Sequence, residues 1–228
     1  MSVSHDHHQR TILAPAICAG VGVHTGRRVR LVVRPAPAGA GIVFVRTDVK
    51  DRENRISVSG EAVVDARLNT MIENAAGVRL STIEHLMAAF AALGIANVTV
   101  EVDGPELPIL DGSALGFVQL LDRAGFRRQP TPVRYIEILE PVHVTEGDKH
   151  AALTPCDRYE MRFEIDFPTP VIGNQVIDFV VDEATFRREI MAARTFGFAH
   201  EVEALRQAGL ARGGSLENAV VIDGDQIL

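Results

Sequence analysis

The stretch LSTIEHLMAAFAALGIANVTVEVDGPELPILDGSALGFVQLLDRAG, residues 80–125, decides the fold because it holds a helix, a strand and a second helix in close succession. Ile83, Leu86, Met87 and Phe90 recur at helical spacing and form one apolar stripe, while His85, Ala88, Ala89 and Ala92 form a small-residue face that lets another element approach. This predicts a helix over 82–93, a strand over 98–102 and a helix over 114–124. Upstream, Val29, Leu31 and Val33 alternate with Arg28, Arg30 and Arg34, the period-2 pattern of a half-buried strand. Residues 42–45 read as its partner across the turn Pro-Ala-Pro-Ala-Gly-Ala-Gly.

Downstream the plan recurs. Tyr159, Met161, Phe163 and Ile165 alternate with Glu160, Arg162, Glu164 and Asp166 after a turn around Thr154-Pro155. Shorter helical stretches follow at 183–193 and 200–208, then a strand at 219–222. The segment Arg127-Arg128-Gln129-Pro130-Thr131-Pro132 interrupts the apolar pattern and is the expected boundary between a first domain, 1–126, and a second, 131–228. The expected class is α+β: two similar two-layer domains, each a sheet packed on helices. The second is expected to be incomplete, since no long helix pair follows its strands and a sheet needs cover on its apolar face.

Composition narrows the function. The 228 residues amount to about 1.5 average domains. With 46% hydrophobic and 23% charged residues the chain is an ordinary globular one, and its net charge of −7, with no basic patch, argues against nucleic acid as a partner. Cys18 and Cys156 lie far apart with no Cys-x-x-Cys spacing, so neither a disulfide framework nor a cysteine zinc site is indicated. No signal peptide or integral membrane segment is read, since the apolar run 12–23 is short and broken by Pro15; the expected location is cytoplasmic. The opening Ser4-His5-Asp6-His7-His8 has residues that can bind a metal adventitiously, but a polar terminus without packed supports reads first as a frayed tail.

Four segments can carry chemistry. In Ser81-Thr82-Ile83-Glu84-His85, Glu84 has a structural reading as half of a capping box with Ser81, and a functional one as a base beside a metal-ligating His85. Gly20-Val21-Gly22-Val23-His24-Thr25-Gly26 fits neither a dinucleotide nor a phosphate loop, because a strand follows it; a turn with close backbone approach is expected. Ser113 reads as the cap of the second helix with Asp111 shaping its turn. Arg194-Thr195-Phe196-Gly197-Phe198 suggests an aromatic platform with a hydroxyl beside it, of the kind on which sugar rings stack, although core packing is the commoner role of isolated phenylalanines; Gly213-Gly214-Ser215 is a tight turn further on.

Taken together, GVGVHTG, the 80–125 stretch, ARTFGF at 193–198 and GLARGGSLENAVV at 209–221 resemble the UDP-3-O-acyl-N-acetylglucosamine deacetylases, zinc-dependent hydrolases of lipid A synthesis. The resemblance runs from about Arg10 to the last residue. It implies a UDP-linked acyl-glucosamine substrate and a Zn²⁺ cofactor, with His85 a zinc ligand and Glu84 the base that takes a proton from the zinc-bound water. It further implies that Thr195 hydrogen-bonds the oxyanion and that Phe196 packs on the glucosamine ring. Val202, Gly214, Ser215 and Val221 would line the passage for the acyl chain. His24 lies in a shared motif with no step assigned.

The family's other two zinc ligands, a His and an Asp four residues apart, and a further His belong to a motif downstream of Leu228. The chain is therefore expected to be C-terminally truncated and inactive alone, with that segment as a missing partner. The competing reading is a non-catalytic relic or acyl-sugar-binding protein of the same family. His200 and Glu203, three apart on one helix face, are a weak substitute for the lost pair. A sugar kinase fails for want of a phosphate loop.

Overall fold

The computed structural model describes residues 8–228, so most of the histidine-bearing N-terminal tail lies outside the described residues. In chain order the first half runs β1 (His8–Ile12), β2 (Ala16–Val21), β3 (Arg28–Pro35), β4 (Ile42–Arg46), β5 (Arg55–Ser57), β6 (Val63–Asp65), β7 (Met71–Glu73), β8 (Arg79–Leu80), α1 (Glu84–Ala92), β9 (Val98–Val102), α2 (Leu115–Ala124) and β10 (Phe126–Pro132). The class is α+β.

The central sheet has the order β2-β3-β9-β4-β5. This corrects the expected pairing of 29–33 with 42–45. β9 lies between them, antiparallel to β3 with Leu31 opposite Val102, and parallel to β4 with Ile42 opposite Val98. The six-residue connection 36–41, rich in Ala and Gly, is too long for a tight hairpin. It leaves the central place to the strand whose Val98, Val100 and Val102 are all fully buried.

α2 buries Phe117, Val118 and Leu121 of its apolar face. α1 buries Leu86 and Phe90 of its expected stripe together with Ala89 of the small-residue face, while Met87 is only half-buried. At about 1.5–3 kcal/mol for each large apolar side chain fully buried, these faces hold the layer together. Gly94, at φ +64°, stops α1 in the left-handed conformation that only glycine adopts without cost. The charged stretch 127–132 lies within β10, which pairs with β1 and buries Gln129; the Gln129 amide donates to Ala36 O and accepts from Asn97 Nδ2 at 2.7 Å.

The second half comprises β11 (Val142–Glu146) with β12 (Lys149–Leu153), β13 (Glu160–Asp166) with β14 (Asn174–Val180), α3 (Glu183–Thr185), β15 (Phe196–Phe198), α4 (Ala199–Gln207), β16 (Val220–Asp223) and β17 (Gln226–Ile227). The helix expected at 183–193 is capped by Asp182 Oδ1, which accepts from Thr185 N at 2.7 Å, and passes into a π-helical turn over Phe186–Ile190. Arg187 of that turn grips Asp122 of α2 with two bonds of 2.7 and 2.8 Å and Glu183 at 2.9 Å. Accordingly, the Asp122 carboxyl is held below its ordinary range and the guanidinium above its own. No helix among the described residues is long and apolar enough to cross a membrane.

The register of β13 and β14 sets Met161 opposite Phe179 and Phe163 opposite Ile177, gathering these four side chains on one face. The other face is charged, with Arg162 2.8 Å from Asp178. Among the described residues much of this apolar face stays open: Phe163 is 59% exposed, Ile177 39% and Met161 38%, while Phe179, at the end near residues 182–189, is half-buried. An uncovered patch of this kind drives association. The 228-residue chain is therefore expected to enhance the fluorescence of an apolar dye and to self-associate on sizing columns. The double variant Phe163→Lys, Ile177→Thr should reduce both, and a monomeric parent that leaves the dye dark would contradict the expectation.

Candidate active site

The start of α1 is set by a backbone that cannot yet be helical. Thr82 stands at φ +59°, a costly conformation for a β-branched residue. Ser81 is pinned on both sides, its N–H donating to Pro105 O at 3.0 Å and its carbonyl accepting from Leu107 N at 3.1 Å. The expected capping box therefore does not form. Ser81 Oγ donates to Pro105 O at 3.3 Å, Ile83 occupies the cap position without a side-chain bond, and Glu84 Oε2 instead accepts from Thr70 N at 3.0 Å.

Glu84 and His85 lie side by side, with Nε2 4.0 Å from Oε1 and side-chain exposures of 36% and 17%. The carboxylate stands at the positive end of the helix dipole. Burial pushes the His85 imidazole below its ordinary value, against the opposing pull of the Glu84 and Asp111 charges. The result favours a neutral imidazole, the form that ligates a metal.

Asp111 arrives from the turn before α2. Its Oδ1 accepts from Ser113 N at 3.1 Å and from Ser113 Oγ at 2.8 Å, so the expected turn is present; the cap position itself falls on Ala114, which makes no side-chain bond, and Ser113 stands one residue before it with its Oγ accepting from Leu115 N at 3.1 Å. This turn is also where the second half joins the site. Thr195 N donates to Gly112 O at 2.8 Å, and Arg194 Nε donates to Asp111 O at 2.7 Å. The fold thus brings Glu84, His85, Asp111 and Thr195 to one locality.

Phe196 is 40% exposed, and its ring meets Phe167 edge-on at 5.4 Å and Phe198 at 6.0 Å. The aromatic platform has one more member than its motif suggests, since Phe167 comes from the β13–β14 connection. Val221 lies opposite Gly197 in the parallel β15–β16 pair, Val202 is half-buried on α4, and Gly214 and Ser215 form the tight turn before β16. Ser215 N donates to Asn218 Oδ1 at 2.9 Å, and Asn218 is buried.

Sequence reasoning missed two residues. Thr70 orients Glu84 through a backbone N–H that no motif marks. Glu106, 1% exposed, is a buried carboxylate whose only local sign is an acid inside the apolar run Pro105-Glu106-Leu107-Pro108. His200 and Glu203 are exposed on α4, and Glu203 bonds Gln207 at 3.0 Å. Among the described residues no three His, Cys, Asp or Glu side chains gather as a metal site. A catalytic zinc takes three protein ligands. His85 with its neighbours does not by itself fit one.

Residues 9–228 match the family described as UDP-3-O-acyl N-acetylglycosamine deacetylase. A relative from Phenylobacterium zucineum (strain HLK1), named UDP-3-O-acyl-N-acetylglucosamine deacetylase, is 64% identical over 220 residues, covering 96% of this chain and 75% of its own. Another of the same name, from Myxococcus xanthus (strain DK1622), is 51% identical over 222 residues, covering 97% and 70%. With the match spanning almost the whole chain and identities this high, the protein belongs to the UDP-3-O-acyl-N-acetylglucosamine deacetylase family.

Proposed function

We propose that this protein serves lipid A synthesis as a hydrolase that removes the N-acetyl group from UDP-3-O-acyl-N-acetylglucosamine. Glu84 is the general base. It takes a proton from the water that attacks the acetyl carbonyl carbon, the oxyanion so formed accepts a hydrogen bond from Thr195, and the C–N bond breaks as the departing nitrogen receives the proton that Glu84 took from the water, giving acetic acid and the free amine. Phe196 packs against the glucosamine ring, and the stretch from Val202 to Val221, with Gly214 and Ser215, lines the acyl passage. His85 is the ligand this chain offers to a zinc ion, and no step here is routed through the metal. The reading makes 1–126 the domain that carries the base and 131–228 the domain that holds the acyl chain.

The observation that carries the reading is the Glu84 carboxylate, fixed by the Thr70 N–H with His85 4.0 Å away. A second reading, an acyl-sugar-binding protein without turnover, is favoured by the lack of a three-ligand group among the described residues. Zinc content and acetate release separate the two. The 228-residue chain is expected to hold zinc substoichiometrically in chelator-buffered solution, because one imidazole is a weak site. A form extended to the length of its relatives is expected to bind one zinc and release acetate. One tightly held zinc and turnover in the 228-residue chain would overturn the first expectation. An extended form that binds substrate without releasing acetate would establish the second reading.

A further inference from the structure

The glycine-rich turn between β2 and β3 is filled by the protein's own carboxylate. Glu106 Oε1 accepts from His24 N at 2.8 Å and from Thr82 Oγ1 at 3.1 Å, while Oε2 accepts from Thr25 N at 2.8 Å and Thr25 Oγ1 at 2.6 Å. Two of these donors are backbone N–H groups that can only donate. Acceptance on both oxygens is something a carboxylate offers and an amide does not. Gly22 is glycine for the same reason, since a Cβ there would lie 2.2 Å from Oε2.

The four bonds lead in two directions. Through Thr82 the carboxylate braces the left-handed residue that immediately precedes Ile83 and Glu84 and so aims the start of α1. Through His24 and Thr25 it shapes a turn clasped from outside by the second half. Arg212 N donates to His24 O at 3.1 Å and Gly213 N to Val23 O at 3.0 Å. The clasp is close: a Cβ on Gly213 would stand 2.3 Å from Gly22 O. Gly214 and Ser215 follow directly.

We propose that Glu106 is a positioning residue, whose buried carboxylate holds the start of the Glu84–His85 helix in register with the 211–215 turn of the second half. It acts through Thr82 on one side and the 22–26 turn on the other. The coupling is a property of the fold, and only its consequence for turnover rests on the activity proposed above.

Amide hydrogen exchange of the 228-residue chain tests the coupling. In Glu106→Gln the amides of His24 and Thr25 are expected to exchange about tenfold faster or more, and those of Arg212 and Gly213 likewise, with Leu31 and Val100 of the central sheet unchanged. Thr82→Val should speed exchange at Met87, whose N–H closes the first turn of α1 on Ile83 O, and Thr82→Ser, which keeps the hydroxyl, should restore it. In the extended form, kcat should fall about tenfold or more in Glu106→Gln and Thr82→Val and recover in Thr82→Ser, with KM little changed.

Parental exchange at Arg212 and Gly213 in Glu106→Gln would reduce Glu106 to a local loop cap and overturn the proposal. Equal behaviour of Thr82→Val and Thr82→Ser would overturn it as well. Should Glu106→Gln fail to fold, the Thr82 pair decides. An extended form without any turnover would refute the proposed activity, and the exchange rates would still decide the coupling.

Discussion

Replacing Glu84 with Gln is expected to lower turnover by about 10²-fold or more while leaving stability almost unchanged. The two halves of that expectation rest on different atoms. Stability depends on the bond from Thr70 N to Oε2, 3.0 Å long, and an amide oxygen accepts it as a carboxylate oxygen does. The one loss is the favourable placement of negative charge at the start of α1, about 0.3–1 kcal/mol at most. Turnover depends on accepting a proton from water, which an amide cannot do, and general-base catalysis contributes about 10²–10⁴. Because Ser81 bonds Pro105 O and not Glu84, Ser81→Ala should leave the carboxylate in place and cost about 1 kcal/mol or less with little loss of rate. Steady-state kinetics of the extended form and thermal melting of the variants check both halves. A Gln variant as active as the parent would remove Glu84 from the mechanism.

How far the sequence could be read depended on the distance over which each feature is determined. The strand over 98–102 and the helices near 84–92 and 115–124 have their expected places because the alternation and the apolar stripes are local signals. The neighbour of β3 is not local. Strands 28–35 and 42–46 each carry a buried face, and only the later arrival of β9 decides that they flank it. The capping box failed for a related reason. Ser81 and Glu84 have the right spacing, but Pro105 and Leu107 claim the Ser81 backbone and force Thr82 to a positive φ, so tertiary pairing overrides the local cap. Glu106 was the hardest to foresee, since its backbone donors lie more than 80 positions away in sequence. The pairing of Glu84 with His85 was legible from adjacency alone, whereas the approach of Thr195 to the Asp111 turn was not, because it is made by backbone atoms of Gly112.

That approach supplies the second large effect. Gly112→Ala is expected to destabilise the joint between the halves by about 3–5 kcal/mol and to lower turnover by about 10²-fold. Gly112 stands at φ +86°, where an L-residue loses roughly 1–2 kcal/mol from the backbone alone. The larger contribution is steric: a Cβ would lie 2.1 Å from the carbonyl oxygen of Asn218 and 3.4 Å from Thr195 Cγ2. Asn218 cannot retreat cheaply, for its side chain accepts from Ser215 N at 2.9 Å and donates to Gly213 O at 3.0 Å, and the residue is buried. The joint must therefore open, breaking the bond from Thr195 N to Gly112 O and carrying the threonine away from the Asp111–Gly112 turn. A displacement of about 1 Å at a positioned group is enough for a 10²-fold loss. Gly197→Ala is the control from the same neighbourhood: no atom lies within 4 Å of its Cβ position and its φ is not positive, so melting should stay near the parent's. If Gly112→Ala melts and turns over like the parent, the second half does not depend on this turn for its placement, and Thr195 must be held at the site by some other contact.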